Sequence, residues 1–350
     1  MRQTGSGRDA LGPAQTGVHM LTYILRRLLI MIPTLLLISI VAFFIIQLPP
    51  GDYLTSWVAQ MEATGEQVDR AQIESLRKRY GLDRPIYVQY WKWISGFVVG
   101  DFGQSFAQRK PVKTLIWDRL GLTVGIALLA MVLTWIIAIP IGIYSATHQY
   151  TFLDYVFTFL GFIGMSTPGF LFALVVMYFA YAKFGISVGG LFSDKFVDQP
   201  WTMAKFVDFL QHVWIPVLVL AVASTAGLIR TVRANLLDQL EMPYVVTARA
   251  KGLPTWRLLL KYPVRVAINP VVSTIGWMLP QLVSGSVIVA MVLSLETTGP
   301  LLLTALFDQD MYLAGSFVLL LSTLTVIGTL LSDILLAWVD PRIRFERKRS

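Results

Sequence analysis

The chain has 350 residues, of which 55% are hydrophobic and 14% charged, with a mean hydropathy of +0.63 and a formal net charge of +8. Soluble domains carry about 25% charged residues, so this chain is too poor in charge to cover a water-facing surface of its size and belongs in a bilayer. The absence of cysteine excludes disulfides, Cys-ligated zinc, iron–sulfur clusters and thiol catalysis.

Taken in chain order, residues 1–20 are polar and glycine-rich and lack the apolar core of a signal peptide. They read as a disordered tail, or as a start set upstream of Met20. Residues 21–48 form a first transmembrane helix, because the uncharged run from Leu28 to Pro50 exceeds the roughly 20 residues that cross a hydrocarbon core. Residues 49–117 form a long loop of mixed charge containing Trp57, Tyr80, Tyr87, Tyr90, Trp91 and Trp93. Aromatics near a membrane surface usually anchor at the interface, which is the expectation for Tyr90 to Trp93. Residues 118–338 then hold a five-helix core, with spans near 120–143, 152–182, 213–229, 267–293 and 313–338, and residues 339–350 are a basic tail.

Six spans place both termini on one side, and the basic residues choose it. Arg230, Arg233, Arg249, Lys251, Arg257, Lys261 and Arg265 lie between spans four and five, and Arg342, Arg344, Arg347, Lys348 and Arg349 in the tail. The segment "SLETTGPLLLTALFDQDM" on the other side has neither Lys nor Arg. By the positive-inside rule the termini and the 230–265 segment are cytoplasmic and the first loop is periplasmic. The loop "YSATHQYT" departs from the rule in carrying no Lys or Arg. The net charge is thus accounted for without nucleic acid. The expected fold class is an all-α membrane protein of six transmembrane helices with a large first periplasmic loop.

Catalytic chemistry finds little support. There is no Gly-Lys-Ser/Thr phosphate loop. His19, His148 and His212 lie far apart, with no carboxylate read at ligand spacing, so no metal site is expected. Intramembrane charges mark ion and proton routes, and here the spans are nearly free of them, with Asp154 and Asp333 close to helix ends. This argues against a proton-coupled carrier, a charged-ring channel or an intramembrane hydrolase. A stand-alone channel or secondary carrier remains the alternative of a different class, although no inverted repeat is visible.

The cytoplasmic stretch "YVVTARAKGLPTWR", Tyr244 to Arg257, stands out. Residues 235–250 can be helical with a break at Pro243, Gly252-Leu253-Pro254 ends that helix, and "TWRLLLKY" starts another. Ala248 and Gly252 fall four apart, on one face where small side chains permit close backbone approach. Basic residues in such loops often do no more than fix topology, but a helix, turn and helix with Arg249 and Lys251 beside a smooth face suits docking onto a partner. Two further features lie within the spans. "GMSTPGFLF" puts Ser166, Thr167 and Pro168 at a kink in span three, and span five holds Pro280, Gln281 and Ser284. They either line or gate a path or serve ordinary helix packing.

These stretches resemble a known family. "YVVTARAKGL" is similar to the cytoplasmic coupling loop in the membrane subunits of binding-protein-dependent ABC importers, in the form carried by oligopeptide and dipeptide permeases. Of the general Glu-Ala-Ala, three residues, Gly pattern only Ala248 and Gly252 match, while Thr-Ala-Arg-Ala-Lys-Gly is typical of the peptide branch. "LRRLLIMIPTLLLISIVAFFIIQLPPGD" resembles the family's first helix, "LRKRYGLDRPIYVQYWKWISGFVVGDFGQSF" its first periplasmic loop, and "DPRIRF" its ending. The resemblance implies a type I ABC importer permease fold in the bacterial inner membrane. It also implies a second, related permease, two cytoplasmic ATPases that hydrolyse ATP with magnesium, and a periplasmic binding protein. This chain would then bind no cofactor of its own. Thr247, Ala248, Arg249, Ala250, Lys251 and Gly252 would seat on an ATPase.

The chain departs from the family in span five. Where peptide permeases often carry a Glu and a Pro-Gly-Leu-Gly-like turn, it has Ala290, and Thr297 and Thr298 before Gly299. Peptides are the first expectation for cargo, and oligosaccharides, nickel chelates or another small solute the alternative.

Overall fold

The computed structural model describes residues 13–48, 53–55, 58, 70–185, 189–197, 199–275, 278, 281 and 287–339. Among them the regular structure is helical, apart from one isolated bridge between Gln104 and Pro111. The elements used below are α1 (Pro13–Gln47), α2 (Arg70–Tyr80), α3 (Ile86–Val99), α4 (Val112–Thr147), α5 (Phe152–Ser166), α6 (Gly169–Phe184) and α7 (Met203–Leu240). They continue with α8 (Pro243–Ala250), α9 (Thr255–Lys261), α10 (Pro263–Ala267), α11 (Asn269–Ser273), α12 (Val287–Val292), α13 (Thr298–Phe307) and α14 (Met311–Val339).

Four described helices have a stretch long and apolar enough to cross a membrane: Leu29–Gln47 of α1, Val112–Thr147, Met203–Val222 of α7 and Met311–Leu335 of α14. The bent pair α5–α6 makes a fifth if it is one span. Span three is therefore no single rod: its halves meet at 105° across Thr167 and Pro168. Pro168 has no N–H to continue the α5 ladder and presets the start of α6. The fifth expected span, 267–293, includes the short helices α11 and α12, and residues 276, 277, 279, 280 and 282–286 lie outside the described residues. Pro263 and Pro270 each sit in the first turn of a short helix, so the chain re-enters helix at α10 and again at α11. Of the expected tail, residues 13–20 are already helical, and residues 1–12 and 340–350 lie outside the described residues.

The most extensive helix contact joins α4 to α7. It is set by Gly142 of α4, where an added Cβ would lie 2.7 Å from Val232 Cβ and 3.1 Å from the Ile229 carbonyl oxygen. A larger residue there would hold the two rods apart. Along α4 buried clusters follow one another, including one where Ala138 meets Leu228 and Val232 of α7 and Val271 of α11. At its N-terminal end Ile116 and Leu120 pack with Leu301, Leu313 and Phe317 of α13 and α14. In the middle Ile126 and Ala130 join Val213 and Val219 of α7 and Leu293. At its C-terminal end Ala146 meets Leu236 of α7 and Val264 and Ala267 of α10.

A separate module is built from α1, α3 and the start of α14. Phe43, Tyr90, Trp93, Met311 and Leu319 form its core, and the Tyr90 hydroxyl pairs with Ser39 at 2.8 Å. Tyr90 and Trp93 are thus core residues, not interfacial anchors, whereas Trp91 between them is exposed. The helical period explains the split: three residues separate Tyr90 from Trp93 on one face, and Trp91 points elsewhere.

The loop after α3 is held by Asp310, which is fully buried. Its carboxylate accepts from the Ser105 hydroxyl at 2.6 Å, from the Ala107 N–H at 3.1 Å and from the Leu313 N–H at 3.2 Å. Burial raises the Asp310 carboxyl above its ordinary value of 3.8, against the opposing pull of these donors. The loop between α6 and α7 has its own knot. Buried Lys205 donates to the Val197 and Gln199 carbonyls at 3.1 and 2.6 Å, and its ammonium lies 4.6 Å from the centre of the Phe192 ring. Asp208 accepts from the Ser193 N–H at 2.7 Å.

Two outcomes follow. Gly142→Ala is expected to lower the melting temperature of the purified protein, with overpacking of about 1–3 kcal/mol exceeding the gain of about 1 kcal/mol in helix propensity. A raised carboxyl pKa favours folding most fully below 3.8, and that contribution is lost as pH rises through the raised value. Asp310→Asn, which does not ionise, should therefore flatten the fall in melting temperature as pH rises above the ordinary value of 3.8; an equally steep fall would show that Asp310 does not carry it.

Candidate functional site

Helix α7 has 38 residues and is about 57 Å long at about 1.5 Å per residue. A hydrocarbon core is about 30 Å thick, so α7 projects well beyond it, and the apolar stretch ends at Val222 while Arg230 and Arg233 follow. The rod stops at Leu240, a turn over Glu241 and Met242 redirects the chain, and Pro243 opens α8 in its first turn. At the other end of α8 Gly252 takes φ +74°, a left-handed conformation that costs a side-chain-bearing residue about 1–2 kcal/mol. Pro254 then caps α9.

The two short helices fold on each other. Val245 and Ala248 of α8 and Leu258 of α9 are buried together, with Leu253 and Tyr262 packed against them. Ala248 is 6% exposed. It therefore faces its own hairpin and not the outer surface, so the close approach its small side chain permits is between α8 and α9. The outer face carries exposed Val246, Thr247, Arg249, Ala250, Lys251 and Gly252. The Thr247 hydroxyl bonds back to the Pro243 carbonyl at 2.9 Å. An added Cβ at Gly252 meets nothing within 4 Å. On α9, exposed Trp256 packs with Arg257 at 4.9 Å from ring centre to guanidinium. The result is a small convex platform with cationic edges, and its base is fixed to α7 and α4 through Val264, Ala267, Leu236 and Ala146.

Just above the platform an ion pair joins α7 to the start of α5. Arg233 Nε donates to Asp154 Oδ1 at 3.2 Å and an Arg233 terminal nitrogen to Oδ2 at 3.1 Å. The same carboxylate accepts the Tyr150 N–H at 3.1 Å, and the Thr151 hydroxyl caps α5 by accepting from the Asp154 N–H at 3.4 Å. The sequence signal was the capping pattern Thr-x-x-Asp at 151–154; its partner 79 residues away carried none.

The path candidates are placed unevenly. Ser166 and Pro168 are exposed and Thr167 half-buried, all at the α5–α6 break, and Gln281 is exposed. Pro280 and Ser284 lie outside the described residues. Ala290, where the family often has a Glu, is buried in the main core on α12. Thr298 receives a different use from the one a turn would give it: its N–H donates to Thr123 on α4 at 3.0 Å. His212 does have a carboxylate one turn away, Asp208, at 3.8 Å, but that group is engaged by Ser193. Among the described residues no group of three metal-ligating side chains occurs.

Comparison with known proteins bears on the whole chain. Residues 138–345 match the family model for the binding-protein-dependent transport system inner membrane component, and residues 20–127 match its N-terminal counterpart. The chain is similar to the oligopeptide transport system permease protein AppB of Bacillus subtilis, with 38% identity over 93% of this chain and 100% of that protein. It is 32% identical to the glutathione transport system permease protein GsiC of Salmonella choleraesuis, over 93% of this chain and 100% of the relative. It is 31% identical to the probable D,D-dipeptide transport system permease protein DdpB of Escherichia coli, over 87% of this chain and 92% of the relative. With its helices long enough to cross a membrane and matches along nearly its full length, the chain belongs to the binding-protein-dependent transport system inner membrane component family and is a non-catalytic, multi-pass permease subunit of an ABC transporter in the inner membrane.

Proposed function

We propose that this chain forms half of the translocation path of an ATP-driven importer for oligopeptides or dipeptides, which a periplasmic binding protein delivers. The observation that carries the reading is end-to-end similarity to a permease named for oligopeptide transport, supported by relatives named for glutathione and D,D-dipeptides. Six spans leave both termini and the α8–α9 platform in the cytoplasm. A second permease of the same family completes the path, and two ATPases bind ATP and magnesium; this chain binds neither.

The platform is the docking element. Thr247, Arg249, Ala250, Lys251 and Gly252 meet the ATPase surface from outside, and Ala248 acts from within by letting α8 sit close on α9. Because the platform's base is packed against α4, α7 and α10, a push on α8 is delivered to the membrane helices and not absorbed by a loose loop. The α5–α6 break, with Ser166, Thr167 and Pro168, together with Pro280, Gln281 and Ser284, provides the path or its gate.

Gentle affinity purification of the tagged chain from its native source should recover an ATPase and a second permease. Recovery of the chain alone, or as a homo-oligomer, would return the reading to a channel or carrier. In the recovered complex, Gly252→Arg should lower import of labelled tri-alanine by about tenfold or more while the protein stays inserted and ATP hydrolysis continues. An added Cβ meets nothing within 4 Å, but the φ of +74° strains any side chain by about 1–2 kcal/mol. Gly252→Ala, which carries the strain without the bulk, should therefore keep import, and unchanged import in Gly252→Arg would remove Gly252 from the docking surface. Import of an oligosaccharide or a nickel chelate in place of the peptide would reassign the cargo alone.

A further inference from the structure

The Arg233–Asp154 pair has a geometry that topology alone does not require. Asp154 is 3% exposed and takes both the two-pronged guanidinium and the Tyr150 N–H. Tyr150 itself is held at φ +61°, so the turn between α4 and α5 is drawn into a shape a non-glycine residue seldom adopts. The pair joins a buried carboxylate to a two-pronged arginine, whereas Lys78–Glu74 is exposed on both sides. Asp154 is buried while the Arg233 side chain is 30% exposed, so removing the arginine leaves a buried carboxylate without its counter-charge.

The location gives the pair its meaning. Arg233 lies two turns before Leu240, where α7 hands over to the platform. The adjacent residue, Val232, is the one that meets Gly142 of α4. The α4, α7 and α10 ends are thus already one packed body. Helix α5 is absent from that cluster: it packs on α7 farther along, at Gly164, and its other face is exposed and apolar, with Phe152, Tyr155, Phe159 and Phe162. At its far end α5 runs into the 105° break.

We infer that Arg233 and Asp154 are positioning residues that fasten the cytoplasmic end of α5 to α7, so that displacement of the platform is carried along α5 to the break at Thr167 and Pro168. This rests on the importer reading above. The pair acts as a strut at the cytoplasmic end of α5. Nearer the break the two helices are already packed, with Gly164 of α5 against Ala226 and Val222 of α7, so without the pair it is the cytoplasmic end of α5 that would lag behind α7. Lysine could supply the charge but not the fork, so Arg233→Lys should keep only part of the function.

The test uses the copurified complex in lipid nanodiscs. Spin labels at Tyr155→Cys on α5 and Asp238→Cys on α7, both exposed sites, report the distance between the two helices in the nucleotide-free and ATP–vanadate-trapped states, with each single substitution as background. In the otherwise unaltered chain the distance is expected to be narrow and the same in both states. In Asp154→Asn and Arg233→Gln it should shift and broaden on trapping while ATP hydrolysis persists, and in Arg233→Lys it should do so less. Arg230→Gln, which removes an exposed charge nearly one turn away, should behave as the unaltered chain. A distance that changes on trapping in the unaltered chain, or stays fixed in Asp154→Asn and Arg233→Gln, overturns the strut and leaves the importer standing. A complex without ATPase overturns both. Loss of the complex in both neutral variants, with Arg233→Lys intact and showing no shift, would make the pair a folding element only and would overturn the strut as well.

Discussion

The contact between α4 and α7 at Gly142 and Val232 is the constraint on which the remaining architecture depends. Two rods of 36 and 38 residues run side by side, and because one has no side chain at the crossing, their backbones come close enough to exclude lipid and water. On the α7 side the crossing lies past the apolar stretch that ends at Val222, where close packing holds the projecting rod against α4. The contact leaves the far end of α7 supported well beyond the apolar stretch. From that supported end the α8–α9 platform can be displayed in a fixed orientation.

The bilayer explains where irregular backbone is allowed. Inside hydrocarbon each unpaired N–H or C=O costs several kcal/mol, so breaks must be short and nearly self-satisfied. At the α5–α6 junction the Thr167 N–H bonds to the Ile163 carbonyl, and the Leu171 and Phe172 N–H groups to that of Pro168. The bend therefore costs few backbone bonds. Polar clusters, such as Lys205 in the first turn of α7 with its two loop carbonyls or Asp310 just before α14 with its three donors, are placed at the ends of the long helices.

Much of this was legible from residue order. The spans at 120–143 and 313–338 fall within α4 and α14, because long apolar runs leave few options once water is excluded, whereas the apolar stretch of α7 is Met203–Val222 and the expected 213–229 overlaps only its second half. The breaks at Pro243 and at Gly252-Leu253-Pro254 were readable because proline and glycine act through their own backbone. Less legible was anything fixed by a partner remote in sequence. The length of α7 exceeded its apolar stretch because α4 and α10 support it, and the inward turn of Ala248 follows from Leu258 lying across from it. Tyr90 and Trp93 have the composition of interfacial anchors, and only the presence of Phe43 and α14 makes them a core. Arg233 looked like one more topology signal because its carboxylate is encoded two helices earlier.

The module built on Phe43, Tyr90 and Trp93 has a consequence for how the chain is made. Its closing surface, Met311, Leu319 and the Ser316 hydroxyl 3.5 Å from the Trp93 indole nitrogen, belongs to the last helix. The two residues of that contact are 223 positions apart. At about 5–20 residues per second, the N-terminal part waits on the order of tens of seconds with an aromatic face uncovered and the Ser105 loop untied. The first helix to enter the membrane is thus among the last to be finished. A ribosome that stalls before α14 leaves behind a nascent chain whose greasiest patch faces outward, a natural mark for membrane chaperones and quality-control proteases.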